Sequence, residues 1–96
     1  MKGKQKSYLR SLAMTMQPIF QIGKGGVNEN LIIQLQDALE ARELIKIRVL
    51  NNSDETAQGV AEEIADATGS HLVQVIGHNI VLYKKSLKKP KIELPR

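Results

Sequence analysis

Ninety-six residues, 42% of them apolar but with only one Phe, two Tyr and no Trp, can bury one core of Leu, Ile, Val and Ala, which excludes a second domain and a disordered body. With no cysteine there is no disulfide framework, thiolate nucleophile or cysteine-based zinc site, and no run of residues approaches the apolar length of a membrane span. The net charge of +4 is segregated: residues 1–24 carry five cations and no acid, residues 25–69 carry three cations against nine acids, and residues 70–96 carry six cations against Glu93.

A polyanion would therefore meet the two ends of the chain and be repelled by its middle. Lysine-rich termini that merely aid solubility give the same totals. Residues 1–10 are charged and lack the apolar stretch of a signal peptide, so a soluble cytoplasmic protein is expected.

Leu9, Leu12, Ala13 and Met16 recur at helical spacing, which predicts an amphipathic helix over residues 4–16, closed by Pro18. Ile19, Phe20 and Ile22 form a short first strand that ends in the turn Gly23, Lys24, Gly25, Gly26. A second helix follows, with Asn28 as N-cap, Glu29 in its first turn, and a buried stripe of Leu31, Ile32, Leu35, Ala38 and Leu39.

Over residues 44–50, Ile45, Ile47 and Val49 alternate with Lys46 and Arg48, the pattern of a half-buried strand with a basic outer side. Ser53 or Asp54 is the expected cap of a third helix whose stripe is Ala57, Val60, Ala61, Ile64 and Ala65, and Gly69 ends it. Residues 72–76 and 79–84 read as a hairpin around Gly77 and His78, with Gly77 at the positive φ of a II′ turn. Residues 85–96, with two prolines and several cations, read as a mobile basic tail behind a domain of residues 1–84.

The element order α-β-α-β-α-β-β predicts an α/β fold: one compact domain with a four-stranded mixed sheet covered by helices. Strands one, two and three are expected to run parallel, with the last hairpin adding an antiparallel edge.

Among candidate sites the glycine turn stands first. Bare amides beside a helix N-terminus receive phosphate, and Lys24 adds a cation at the tip. A magnesium-dependent phosphate loop would need Ser or Thr after the lysine, and Gly25 stands there. A dinucleotide fingerprint lacks its third spaced glycine. What remains is a Gly-x-x-Gly turn suited to clamping a sugar-phosphate backbone, or an ordinary tight connection between strand and helix.

His71 and His78 have neither cysteine nor a nearby acid to complete a metal site, and Glu62, Glu63 and Asp66 beside an alanine stripe read as a solvated helix face. No serine sits in a Gly-x-Ser-x-Gly context. Neither catalysis nor a cofactor is expected. A protein–protein adaptor using the acidic third helix is the alternative class; an enzyme on a phosphorylated metabolite would need a paired base that is not evident.

Taken in order, Lys4, Gln5 and Lys6 with Leu12 and Ala13, Pro18, the turn from Gly23 to Gly26, Ala38-Leu39-Glu40, Glu43-Leu44-Ile45-Lys46, Val73-Gln74-Val75-Ile76-Gly77 and Leu82-Tyr83 resemble the CRM domain in its stand-alone bacterial, YhbY-like form. The resemblance implies an RNA-binding domain, associated in bacteria with the precursor of the large ribosomal subunit, and a fold similar to the C-terminal domain of translation initiation factor 3. It also implies RNA contact at Gly23, Lys24, Gly25 and Gly26. On this reading Lys4, Lys6 and Arg10 extend the contact, Lys46 and Arg48 join it if their sheet face is open, and the C-terminal lysines add long-range attraction.

Overall fold

The computed structural model describes residues 1–23, 25–50 and 56–96. Its elements are α1 (Gly3–Ala13), β1 (Phe20–Ile22), α2 (Glu29–Arg42), β2 (Leu44–Val49), α3 (Ala57–Thr68), β3 (His71–Ile76) and β4 (Asn79–Tyr83). The order is the one expected. The first helix is shorter than its pattern, ending at Ala13, and Met14 behind it is 80% exposed.

The four strands form one sheet in the order β1-β2-β4-β3. β1 and β2 pair in parallel, Phe20 opposite Ile47, while β4 pairs antiparallel with both β2 and β3. Here the expectation needs correcting: the last strand is not an edge but lies between β2 and β3, which leaves β3 outermost. Ile80, Val81, Leu82 and Tyr83 form an unbroken buried run, the mark of a strand covered on both faces and therefore central.

Two apolar clusters lie on opposite faces of the sheet. Ile45, Ile47 and Val49 of β2, with Ile80 and Leu82 of β4, face Leu35 and Leu39 of α2 and Val60, Ala61 and Ile64 of α3. On the other face Leu44, Val73, Val81 and Tyr83 are covered by Leu9 and Ala13 of α1 and by Met16, Ile92 and Leu94. Residues 85–96, expected as a mobile tail, are thus partly laid down as core. Ile92 and Leu94 close what α1 is too short to cover.

Local signals set the boundaries. Asn28 caps α2, its Oδ1 accepting from Leu31 N at 2.9 Å. Thr56 caps α3, its Oγ1 accepting from Gly59 N at 3.0 Å; the expected caps Ser53 and Asp54 lie outside the described residues. Gly69 closes α3 at φ +67, and Gly77 turns the β3–β4 hairpin at φ +57.

The strand directions give the sheet two unlike ends. At one, β1 and β2 finish, α2 begins, and the hairpin turns, His78 O accepting from Val49 N at 2.7 Å. At the other, α2 and α3 finish, β2 starts and β4 stops, with Leu44, Tyr83 and His71 in one row.

Candidate nucleic-acid interface

The glycine turn sits where β1 hands over to α2. Gly26 N donates to Gly23 O at 3.0 Å, and Gly26 holds φ +64, a conformation glycine adopts without a side-chain clash. One amide of the turn is therefore committed inside it, so the turn is less bare than the sequence suggests. Gly25 is different. A Cβ added there would meet no atom within 4 Å, so among the described residues no close contact requires glycine at this position. Such a glycine leaves its backbone open to close approach from outside. Lys24 lies outside the described residues.

The turn borders a cavity of about 270 Å³, lined by Gly23, Gly25 and Gly26 together with Gln21, Asn28, Asn30 and Gln34. Four uncharged amide side chains thus surround the glycines, at the positive end of α2. Sequence reading singled out Asn28 only as a cap and passed over Gln21, Asn30 and Gln34. Their signal was a strand residue next to the turn and two helix positions four apart, which places Asn30 and Gln34 on one face of the first turns of α2.

The cations divide. Arg48 is exposed near the turn, paired in register with Gln21 of β1 and Asn79 of β4. Arg10 lines a cavity with Met14, Gln74 and Ile76, beside the hairpin end of β3. Lys46 is partly buried, and its Nζ donates to Met16 O at 3.0 Å, so the sheet face is closed there by the segment after α1. Lys4 and Lys6 are not gathered at the turn. They flank Gln5, whose Oε1 accepts from Lys2 N and whose Nε2 donates to Pro95 O, both at 3.0 Å, which sets the start of α1 beside the C-terminal segment. The physical reason is that α1 crosses the sheet on its buried stripe, so its two ends serve opposite ends of the molecule.

Sequence analysis missed a buried, heavily bonded acid. Glu43 is fully buried, sits at φ 66 between α2 and β2, and accepts three backbone N–H bonds: Ser86 at 2.9 Å, Lys91 at 2.5 Å and Ile92 at 2.8 Å. Burial alone would raise its carboxyl's pKa, but these donors outweigh it and hold the group below the usual carboxylate range. Its neighbour one turn earlier, Glu40, accepts from the Ser86 hydroxyl and from Leu87 N and Lys88 N. That set of donors, led by Ser86, lowers the Glu40 carboxyl as well.

Elsewhere, Glu62, Glu63 and Asp66 are exposed on the outer side of α3. Among the described residues no group of three or more His, Cys, Asp or Glu is placed to hold a metal ion, and no helix is long and apolar enough to cross a membrane.

Comparison with known proteins gives the family and matches the fold. Residues 1–84 match the CRS1 / YhbY (CRM) domain. The chain is 57% identical over 93 residues to the Bacillus subtilis protein named "Probable RNA-binding protein YqeI", covering 97% of each. A Haemophilus influenzae protein named "RNA-binding protein" is 39% identical over 93 residues, 97% of this chain and 93% of that one. The solution structure of SAV1595 from Staphylococcus aureus superposes with a TM-score of 0.82 at 57% identity, covering 99% of both chains. The chain belongs to the CRM domain family.

Proposed function

We propose that this CRM-domain chain binds folded RNA through the sugar-phosphate backbone, without catalysis, and that its target is ribosomal RNA in a precursor of the large subunit. The observation that carries the reading is Gly25: an exposed backbone position with open space where a side chain would stand, beside the N-terminus of a 14-residue helix. The names of the relatives support RNA as the ligand. Association with the large-subunit precursor rests on the family resemblance.

In this reading Gly25, Lys24 and the first amides of α2 receive one or two phosphates, and Gln21, Asn30 and Gln34 donate to ribose or phosphate oxygens around them. Arg48 and Arg10 extend the contact along the hairpin end of the sheet. With three aromatic rings in the chain, stacking on unpaired bases contributes little, so shape and backbone dominate.

The double variant Lys24→Glu, Gly25→Asp places two negative charges at the turn while leaving Gly26 intact. It should lose affinity for a labelled RNA stem-loop by two orders of magnitude or more, on the scale of about 1.4 kcal/mol per tenfold, and keep its circular-dichroism melt. A variant that binds like the wild type refutes the turn as the contact. Crosslinking followed by sequencing of the attached RNA identifies the target; reads without enrichment of large-subunit sequence remove the ribosomal assignment.

A further inference from the structure

The C-terminal cations are neither loose nor near the glycine turn. Lys85, Lys88, Lys89 and Lys91 belong to a segment whose backbone is held by two acids of the α2–β2 junction, Glu40 and Glu43. Lys91 Nζ reaches Ala41 O at 3.1 Å, so the segment crosses the C-terminal end of α2. It then returns over the sheet through Ile92 and Leu94 to Pro95, where it meets Gln5 of α1. Lys4 and Lys6 on the first turns of α1 therefore join the same end of the molecule.

We infer that this strap and the start of α1 form a second, preorganised phosphate-binding surface, one helix length from the glycine turn, by which the chain spans two separate backbone segments of one folded RNA. The inference rests on the RNA-binding reading above. Fourteen residues of α2 separate the two regions, ~21 Å at 1.5 Å per residue. Lys88 and Lys89 border a cavity of about 370 Å³ with Asp37, Glu40 and Ala41; Lys85, Lys91 and Arg96 border another of about 550 Å³ with Tyr83 and Glu93.

The carboxylates explain why the lysines differ from diffuse charge. A free tail would lose conformational entropy when its lysines met phosphates. Here Glu40 and Glu43 have already fixed the backbone that carries them. Both acids are bonded by main-chain N–H groups, and Glu40 also by the Ser86 hydroxyl; the exposed heads of Lys88 and Lys89 take part in none of these bonds and face solvent, with the Lys88 charge close enough to Glu40 to help lower its carboxyl.

Two variants of the full chain test this against a labelled RNA stem-loop across a salt series. Lys85→Gln/Lys88→Gln/Lys89→Gln removes three cations; affinity should fall about tenfold and the log–log salt slope should become shallower by roughly 2 to 3, at ~0.9 per phosphate contact. Glu40→Gln keeps every lysine and makes the chain more positive, so attraction by net charge alone predicts equal or tighter binding. Untying the strap predicts binding several-fold weaker by a chain that is still folded at the assay temperature, as its circular-dichroism spectrum checks.

Equal or tighter binding by Glu40→Gln overturns the inference, because the lysines then act as diffuse charge. An unchanged salt slope in the triple glutamine variant overturns it as well, because the strap is then off the RNA. In either case loss of binding by Lys24→Glu, Gly25→Asp leaves the reading of the turn standing, whereas a wild type that ignores RNA removes both.

Discussion

The two ends of the sheet treat the same chemical group in opposite ways. At the glycine turn a backbone position is left open: Gly25 faces empty space, while Gly26 N is bonded within the turn. At the far end, amides from the C-terminal segment are bound by acids, three on Glu43 and two on Glu40. An open amide is a place for a ligand's oxygen; an amide held by a buried carboxylate is structure. The turn is therefore suited to receive, and the strap end to hold something in place.

Removing the acid should break this contrast most visibly. Glu43→Ala leaves three N–H groups without an acceptor and a side chain at φ 66, and should cost at least about 2 kcal/mol, since one orphaned buried polar group costs roughly 1–3 kcal/mol. Urea unfolding measures it; a loss below half of that would mean the strap is not coupled to the core. Glu43→Gly also loses the carboxylate but relieves the backbone, so it should recover about 1 kcal/mol relative to Glu43→Ala. Equal stability of the two variants would show that φ at this residue carries no strain.

Acid should reproduce the effect without mutation. The Glu43 and Glu40 carboxyls are held below the ordinary carboxylate value, so the folded state binds fewer protons than the unfolded one in that range. Their stabilisation is complete above the unfolded value of 4.5 and is lost as pH falls through their lower folded values. Hydrogen-exchange protection factors at Ser86, Lys91 and Ile92, taken against the intrinsic rate at each pH, should fall below that point, ahead of those of the amides of β2 and β4. Simultaneous loss of all of them would make the strap inseparable from the sheet.

The glycine turn sharpens the comparison through smaller effects. Gly26→Ala forces a side chain into φ +64 and should destabilise by about 1 kcal/mol. Asn28→Ala removes the cap of α2 and should cost ~1 kcal/mol. Gly25→Ala should leave stability within roughly 0.5 kcal/mol, because its Cβ meets nothing, yet weaken RNA binding by crowding the approach. Should Gly25→Ala melt the protein like Gly26→Ala, the two glycines would share one structural role.

Much of the fold was legible because its signals are local. Asn28, Gly69 and Gly77 act through their own backbone or a partner three residues away, and the alternation of Ile45, Ile47 and Val49 with Lys46 and Arg48 needs only the period of a strand. The site was legible in part. The turn was visible as a glycine cluster, but which glycine serves the fold and which faces outward depends on φ and on the empty space around a Cβ. Arg10 and Arg48 lie toward the hairpin end of the sheet, the end that also carries the turn. Lys4, Lys6 and Lys46 were grouped with the turn by charge alone, and charge carries no address.

Glu43 shows where reading along the chain stops. A glutamate at the end of an amphipathic helix reads as solvated, and its three donors stand 43 to 49 residues further on. By itself the sequence determined the elements, their order, the Asn28 cap and the glycine ends at Gly69 and Gly77, because hydrophobic period, glycine conformation and short-range hydrogen bonds act within a few residues. Only the tertiary structure decided that β4 enters between β2 and β3, that residues 85–96 complete the second face, and that the cations divide between two ends. Those outcomes depend on which distant surfaces leave water together, and on where a buried carboxylate finds donors for its charge.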